Sequence, residues 1–281
     1  MNKKLVLLLA AVVFTLSSFA QTGSVLDPNP IPKEDKWTKS PLTYSYMREA
    51  DAMWSKRIWR IIDLREKMNL PLSYPKSETR DRKSLMDVLW SAISEGSLTP
   101  YETDEFIVPK SKKQILASAG AGWIQITMNR PYEPYEPFDT LIQKEFEPER
   151  VIQYRIKEDW FFDKQRSVMD VRIIGIAPII YATDDQGNIR EGGETKPLFW
   201  VYFPEARWLL SRFEAFNFQN DSQRRSYDDI FQKRLFGSYI MKESNVYDRR
   251  ISEYAQGIHA LQESDRIKEM IVNYEHDMWE Y

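Results

Sequence analysis

A chain of 281 residues with 39 basic and 42 acidic side chains and 42% apolar content is long enough to bury a full core without disulfide staples. Its formal charge of −3 gives no electrostatic footprint for nucleic acid or an acidic bilayer. The lack of any cysteine excludes thiol nucleophiles, disulfides and lipidation at a cysteine after a cleavage site.

At the N-terminus, Lys3 and Lys4 precede an apolar run from Leu5 to Phe14, and Ser18-Phe19-Ala20 stands before Gln21. A basic flank, a short apolar run and small residues before the cut predict a secretory signal peptide over 1–20, too short to span a membrane. The mature chain then carries about −5 and is expected outside the cytoplasm. Residues 21–42 hold Pro28, Pro30, Pro32 and Pro41 among polar residues, with Trp37 near the end. This composition predicts an extended arm with little capacity to pack on itself. Residues 43–281 read as one globular domain.

Within that domain, Met47, Ala50, Trp54, Ile58, Ile61 and Met68 follow the spacing of one helical face, so a helix is predicted over Thr43–Asn69, stopped by Pro71. A second helix reads from Arg82 to Glu95, with Gly96 as its left-handed cap. Asp104-Glu105-Phe106 forms an acidic turn. Ala117 to Gly122 is a turn without the lysine and hydroxyl of a phosphate-cradling loop, and Trp123 to Met128 alternates like a strand. Pro131, Pro134 and Pro137 with Tyr132 and Tyr135 make a rigid loop.

Val151 to Pro178 is the densest stretch in aromatic, charged and β-branched residues at regular spacing. Its alternation predicts a hairpin reversing at Asp163–Arg166, with Ile156, Trp160, Met169, Val171 and Ile173 on one face. Lys157 and Asp159 are then direct or diagonal neighbours of Asp170 and Arg172. Glu158 is the misfit on the apolar face and needs a basic or amide partner from elsewhere. Asp184 to Asn188 is a turn signal that does not match an EF-hand loop. Leu198 to Phe203 is a further strand, so about 123–203 reads as an antiparallel β-meander packed with N-terminal and C-terminal helices, an α+β fold. Pro204 opens a helix, Ser226 caps another that ends at Gly237, Tyr239 to Val246 is ambiguous, and a last helix starts near Asp265.

Chemistry is sparse. His259 and His276 are the two histidines, and neither stands beside a second ligand or in a zinc spacing. No nucleophile elbow is present, and no catalytic, cofactor-binding or metal residue is assigned. The alternative left open is a periplasmic carbohydrate-active hydrolase using paired carboxylates in a tryptophan-lined cleft, with Glu158 beside Trp160 or Asp104 and Glu105 beside Tyr101.

Three segments carry a resemblance: WRIIDLREKMNLPLSYP from Trp59 to Pro75, LMDVLWSAISEGSLTPY from Leu85 to Tyr101, and EDWFFDKQRSVMDVRIIGIAP from Glu158 to Pro178. In this order, in an exported cysteine-free chain, they resemble the gliding-motility protein N family (GldN or PorN) of the type IX secretion machinery of Bacteroidetes. The resemblance implies a non-enzymatic periplasmic component that pairs with an outer-membrane lipoprotein, protein K, builds rings below the outer membrane, and faces the periplasmic part of a motor protein, M. It brings no cofactor and no direct lipid anchor, because a lipidated partner holds the chain at the membrane. A closed ring needs two different adhesive patches on each subunit. The arm, through Pro28, Pro30, Pro32 and Trp37, is one candidate contact. Phe161 and Trp200 are candidate anchors if their faces are uncovered.

Overall fold

Where aromatic and β-branched residues alternate with polar ones, the backbone is drawn into strands, and this chain contains more of that pattern than its helical spacing suggests. The structure, a computed structural model, describes residues 39–77, 79, 82–129, 137–182, 190, 193–220 and 222–278. Strand β1 (Ala52–Asp63) occupies the middle of the segment predicted as the first helix. The helix prediction is corrected by a simple degeneracy: Trp54, Ile58 and Ile62 are four residues apart, and a step of four returns to the same face in a helix and in a strand alike. Pairing decides between them, because β1 meets an antiparallel neighbour from Ala52↔Asp163 to Asp63↔Gln153.

Helices α1 (Leu70–Ser73) and α2 (Leu85–Glu95) follow. Ser84 and Asp87 cap α2 reciprocally, three residues after the predicted start at Arg82, and Gly96 closes it at φ 77°, the cap the sequence predicts. After β2 (Pro100–Tyr101) and α3 (Lys112–Ser118) come β3 (Gly122–Asn129) and β4 (Pro137–Lys144), which pair only with each other. They form a ribbon apart from the main sheet, whereas the sequence places them in one meander with the central hairpin. Pro137, predicted as part of the rigid proline loop, instead opens β4, where it pairs with Asn129; residues 130–136 and the turn at 184–188 lie outside the described residues.

The hairpin is β5 (Val151–Asp163) and β6 (Val168–Tyr181). Glu158↔Ile173, Trp160↔Val171 and Phe162↔Met169 confirm the predicted parity, and Asp159 lies opposite Arg172. The reversal is tied by Asp163, whose Oδ1 accepts from the amides of Gln165 and Arg166. One bulge between Lys157 and Glu158 leaves Ile174 as the extra residue, so the inner face passes to even positions, Ile176 and Ile180.

The chain continues through β7 (Thr195–Pro197), β8 (Trp200–Tyr202), α4 (Phe203–Leu210), β9 (Glu214–Ala215), β10 (Arg225–Ser226), α5 (Tyr227–Gln232), β11 (Tyr239–Glu243), α6 (Ile251–Tyr254) and α7 (Ile258–Asp277). Pro204 lies in the first turn of α4 and Ser226 caps α5. Helix α5 stops short of Gly237 because Arg234 turns left-handed at φ 53°. The main sheet runs β11-β1-β5-β6-β8-β2, with β7 on β6, and every pair is antiparallel. With helices against it, the fold is α+β.

Alternation places Ile58, Arg60 and Ile62 on one face with Glu158, Ile156 and Tyr154. At one end of that face α2, α4 and α5 bury Leu85, Leu89, Leu210 and Phe231 with Ile62, Tyr154 and Ile176. At the other end α6 and α7 bury Ile251, Ile267 and Ile271 with Ile58 and Ile240. Two apolar clusters thus share one face, and the Arg60 and Glu158 row falls between them.

The opposite face is covered differently. Phe106, left-handed at φ 58°, lies on Gly175, where an added Cβ would come within 2.5 Å of its Cζ, and its ring meets Tyr101, Trp200 and Tyr202 edge-on. Gly175→Ala is therefore expected to push Phe106 off the sheet and destabilise by ~1–3 kcal/mol. In urea denaturation the double variant Gly175→Ala, Phe106→Ala should lose less than the sum of the two single changes; strict additivity would show that the ring does not need the glycine.

Candidate functional site

Glu158 is the first residue to place, because a lone carboxylate in a cleft would support the hydrolase reading. It is fully buried. Arg234 grips it with two bonds, Nη1 to Oε1 at 2.9 Å and Nη2 to Oε2 at 3.2 Å. The Trp160 indole donates to Oε2 at 3.0 Å, and Arg60 Nε stands 3.3 Å from the same oxygen as an ion pair. The left-handed turn after α5 is what swings Arg234 onto the sheet. Arg60 donates in turn to Ser238, and both guanidiniums lie over the Trp160 ring, at 5.8 and 5.1 Å. Burial lowers the Arg60 pKa, and the Glu158 charge opposes that shift. The group is a sealed anchor between the two apolar clusters and presents no acid or base to a substrate.

Of the other two carboxylates considered, Glu105 is exposed and Asp104 is engaged on the opposite face. It accepts from the Trp59 indole at 2.8 Å, and Lys157 reaches both its carbonyl, at 2.7 Å, and its carboxylate, at 3.2 Å. Burial favours the neutral acid, but those bonds outweigh it and hold the Asp104 pKa below its usual value. Lys157 and Lys242 both lie over the Trp59 ring. Neighbouring cations on this face have their own acids: Arg57 is bidentate to Asp159 at 2.7 and 2.8 Å, and Lys242 pairs with Asp248. Arg155 differs, as described below.

Of the predicted contact residues, Pro28, Pro30, Pro32 and Trp37 lie outside the described residues. Phe161 and Trp200 are each 4% exposed, so the condition set for them as anchors is not met. Arg172 covers Phe161, and the Phe106 ring packs against Trp200. The sequence made both look like surface aromatics because it gave no sign that the 104–108 loop folds over this face.

Exposed apolar side chains lie elsewhere. On the β3–β4 ribbon Trp123 is 70% and Leu141 63% exposed, and an isolated two-stranded ribbon is marginal in water. Val246 and Tyr247 project from the loop after β11, beside a 370 Å³ recess that Arg249, Tyr254 and Arg266 help to line. Ile258, Leu261 and Val272 are exposed on α7. Trp123 was legible as part of a strand, but its exposure depends on β4 pairing with β3 alone.

Residues 39–46 run along α4, α5 and β6. Arg207 donates to the Leu42 carbonyl at 2.6 Å, Gln232 to the Tyr44 hydroxyl, and Arg172 to the Ser45 carbonyl.

Comparison with curated proteins gives no match. A family model for "Gliding motility associated protein GldN" matches residues 47–280, which takes in both faces of the sheet, the Glu158 anchor and every helix described. The chain therefore belongs to the gliding motility associated protein GldN family.

Proposed function

We propose that this protein is a non-enzymatic structural subunit of the type IX secretion and gliding machinery, working in the periplasm. The observation that carries this reading is a family match extending over nearly the whole folded chain. Two features of the molecule support it. Of the carboxylates weighed for catalysis, Glu158 and Asp104 are locked into ion pairs, and exposed apolar residues occur on a projecting ribbon and a terminal helix, where subunit contacts are made. Among the described residues no helix is long and apolar enough to cross a membrane. Attachment to the inner face of the outer membrane is assigned to the lipoprotein partner, protein K, with which the chain forms a ring that faces the periplasmic part of motor protein M.

In this reading the arm, with Pro28, Pro30, Pro32 and Trp37, is one adhesive patch, and it orders on a neighbour as it binds. Deleting Gln21–Trp37 keeps the 39–46 strap in place. The tagged deletion protein is expected to lose co-purification with the lipoprotein from envelope extracts while keeping its melting temperature. Undiminished co-purification would exclude the arm from the interface, and failure of the intact protein to bind the lipoprotein would overturn the subunit reading itself.

A further inference from the structure

Arg155 lies on β5, the central strand of the hairpin, opposite Ile61 on β1 and Ala177 on β6. Both of those neighbours are buried, so the side chain leaves the sheet over an apolar floor. It is itself only partly exposed. Its Nε is buried without a hydrogen-bond partner, and among the described residues the guanidinium has no hydrogen bond and no ion pair. Burial lowers its pKa to about 10, and repulsion from Arg250 adds to that effect while Asp104 opposes it. Asp104 forms no hydrogen bond or ion pair with it; its Oδ2 is held by Trp59 and Lys157.

An arginine partly withdrawn from water without a counter-charge is unfavourable. Arg172 on this face also has its Nε buried without a partner, but it donates to the Ser45 carbonyl and lies over Tyr44 and Phe161. Arg57, Lys157 and Lys242 each meet a carboxylate. We propose that Arg155 is the docking point for a carboxylate carried by a partner protein that seats on this face of the sheet. A guanidinium fixed over an apolar floor offers a planar fork of donors that matches a carboxylate and needs little further ordering. A phosphate dianion fits less well, because the Asp104 charge stands nearby. The inference rests on the subunit reading for the identity of the partner, taken here as the lipoprotein of the same machinery.

The test compares the purified full mature chain with Arg155→Met and Arg155→Lys. The measurements are kinetics against immobilised lipoprotein and thermal melting of each protein alone. Methionine keeps the apolar stem and removes the unpaired charge, so the isolated protein should melt at the same or a higher temperature. Loss of a desolvated charge pair should weaken lipoprotein binding by at least ~30-fold, through faster dissociation with little change in association. Lysine, a point charge without the fork, should fall between the two.

A lowered melting temperature in Arg155→Met would overturn the proposal, since it would mean that an acid of this chain already serves Arg155. Unchanged lipoprotein binding would also overturn it. If self-association in sedimentation then weakened instead, the carboxylate would belong to a second copy. Absence of binding by the unaltered protein would remove the subunit reading together with this choice of partner.

Discussion

Glu158→Gln is expected to destabilise the protein by ~3–5 kcal/mol, because it leaves Arg60 and Arg234 facing one another with no negative charge between them. The substitution keeps the shape of the side chain and the Trp160 contact, so packing does not explain the loss. The stability of a whole domain is ~5–15 kcal/mol, which makes this a large fraction, visible as a fall in melting temperature of ~6–20 °C. The informative companion is the triple variant Arg60→Met, Glu158→Leu, Arg234→Met. It removes all three charges and joins the two apolar clusters, and it should recover most of the loss or exceed the original stability by ~1–4 kcal/mol. Denaturant titrations of the three proteins decide the matter. A single Glu158→Gln change costing under ~1 kcal/mol would show that the anchor is exposed to water in solution and that its three partners do not depend on one another.

The second large effect is expected at Arg207. Its Nε and Nη2 hold Asp228 at 2.9 and 3.3 Å; both side chains are under a tenth exposed, and the same guanidinium lies 4.3 Å over Tyr44. Arg207→Met leaves Asp228 buried without a cation, again a loss of ~3–5 kcal/mol. It also removes the donor to Leu42, so the strap at 39–46 should come free before the domain unfolds. Hydrogen exchange at residues 39–46 should rise well above that in Glu158→Gln, whose damage lies elsewhere. Equal protection of the strap in both variants would show that Gln232 and Arg172 hold it without help.

These two ion-pair groups also mark where the sequence was readable and where it was not. Glu158 stood out as a charge on an apolar face, because the alternation of β5 is local and strong. Its partner could not be named, since Arg234 lies 76 residues away and reaches the site only through a left-handed turn that leucine and phenylalanine neighbours do not announce. The C-terminal end of α2 and the N-terminal end of α5 were legible because Gly96 and Ser226 act on the adjacent backbone. Strand β1 was misread because its apolar residues fall at a spacing common to both periodicities. The position of Arg155 on the polar face was legible from alternation; its lack of a partner was not, because that depends on a loop, a strand and an arginine contributed from three other parts of the chain.

The neighbour relation β11-β1 has a consequence for the order in which the molecule forms. Ile61 pairs with Tyr239 and Ile58 with Glu243, so a strand near the start of the domain waits for one close to its end. Contacts so distant in sequence form slowly, after local hairpins such as β5–β6. A chain emerging N-terminus first keeps one edge of β1 bare until almost all of it has appeared, and that bare edge is open to wrong pairings in the meantime. Completion of the sheet is thus tied to completion of the chain, and a truncated product lacking β11 would carry an unpaired edge into the compartment where the finished protein has none at that position.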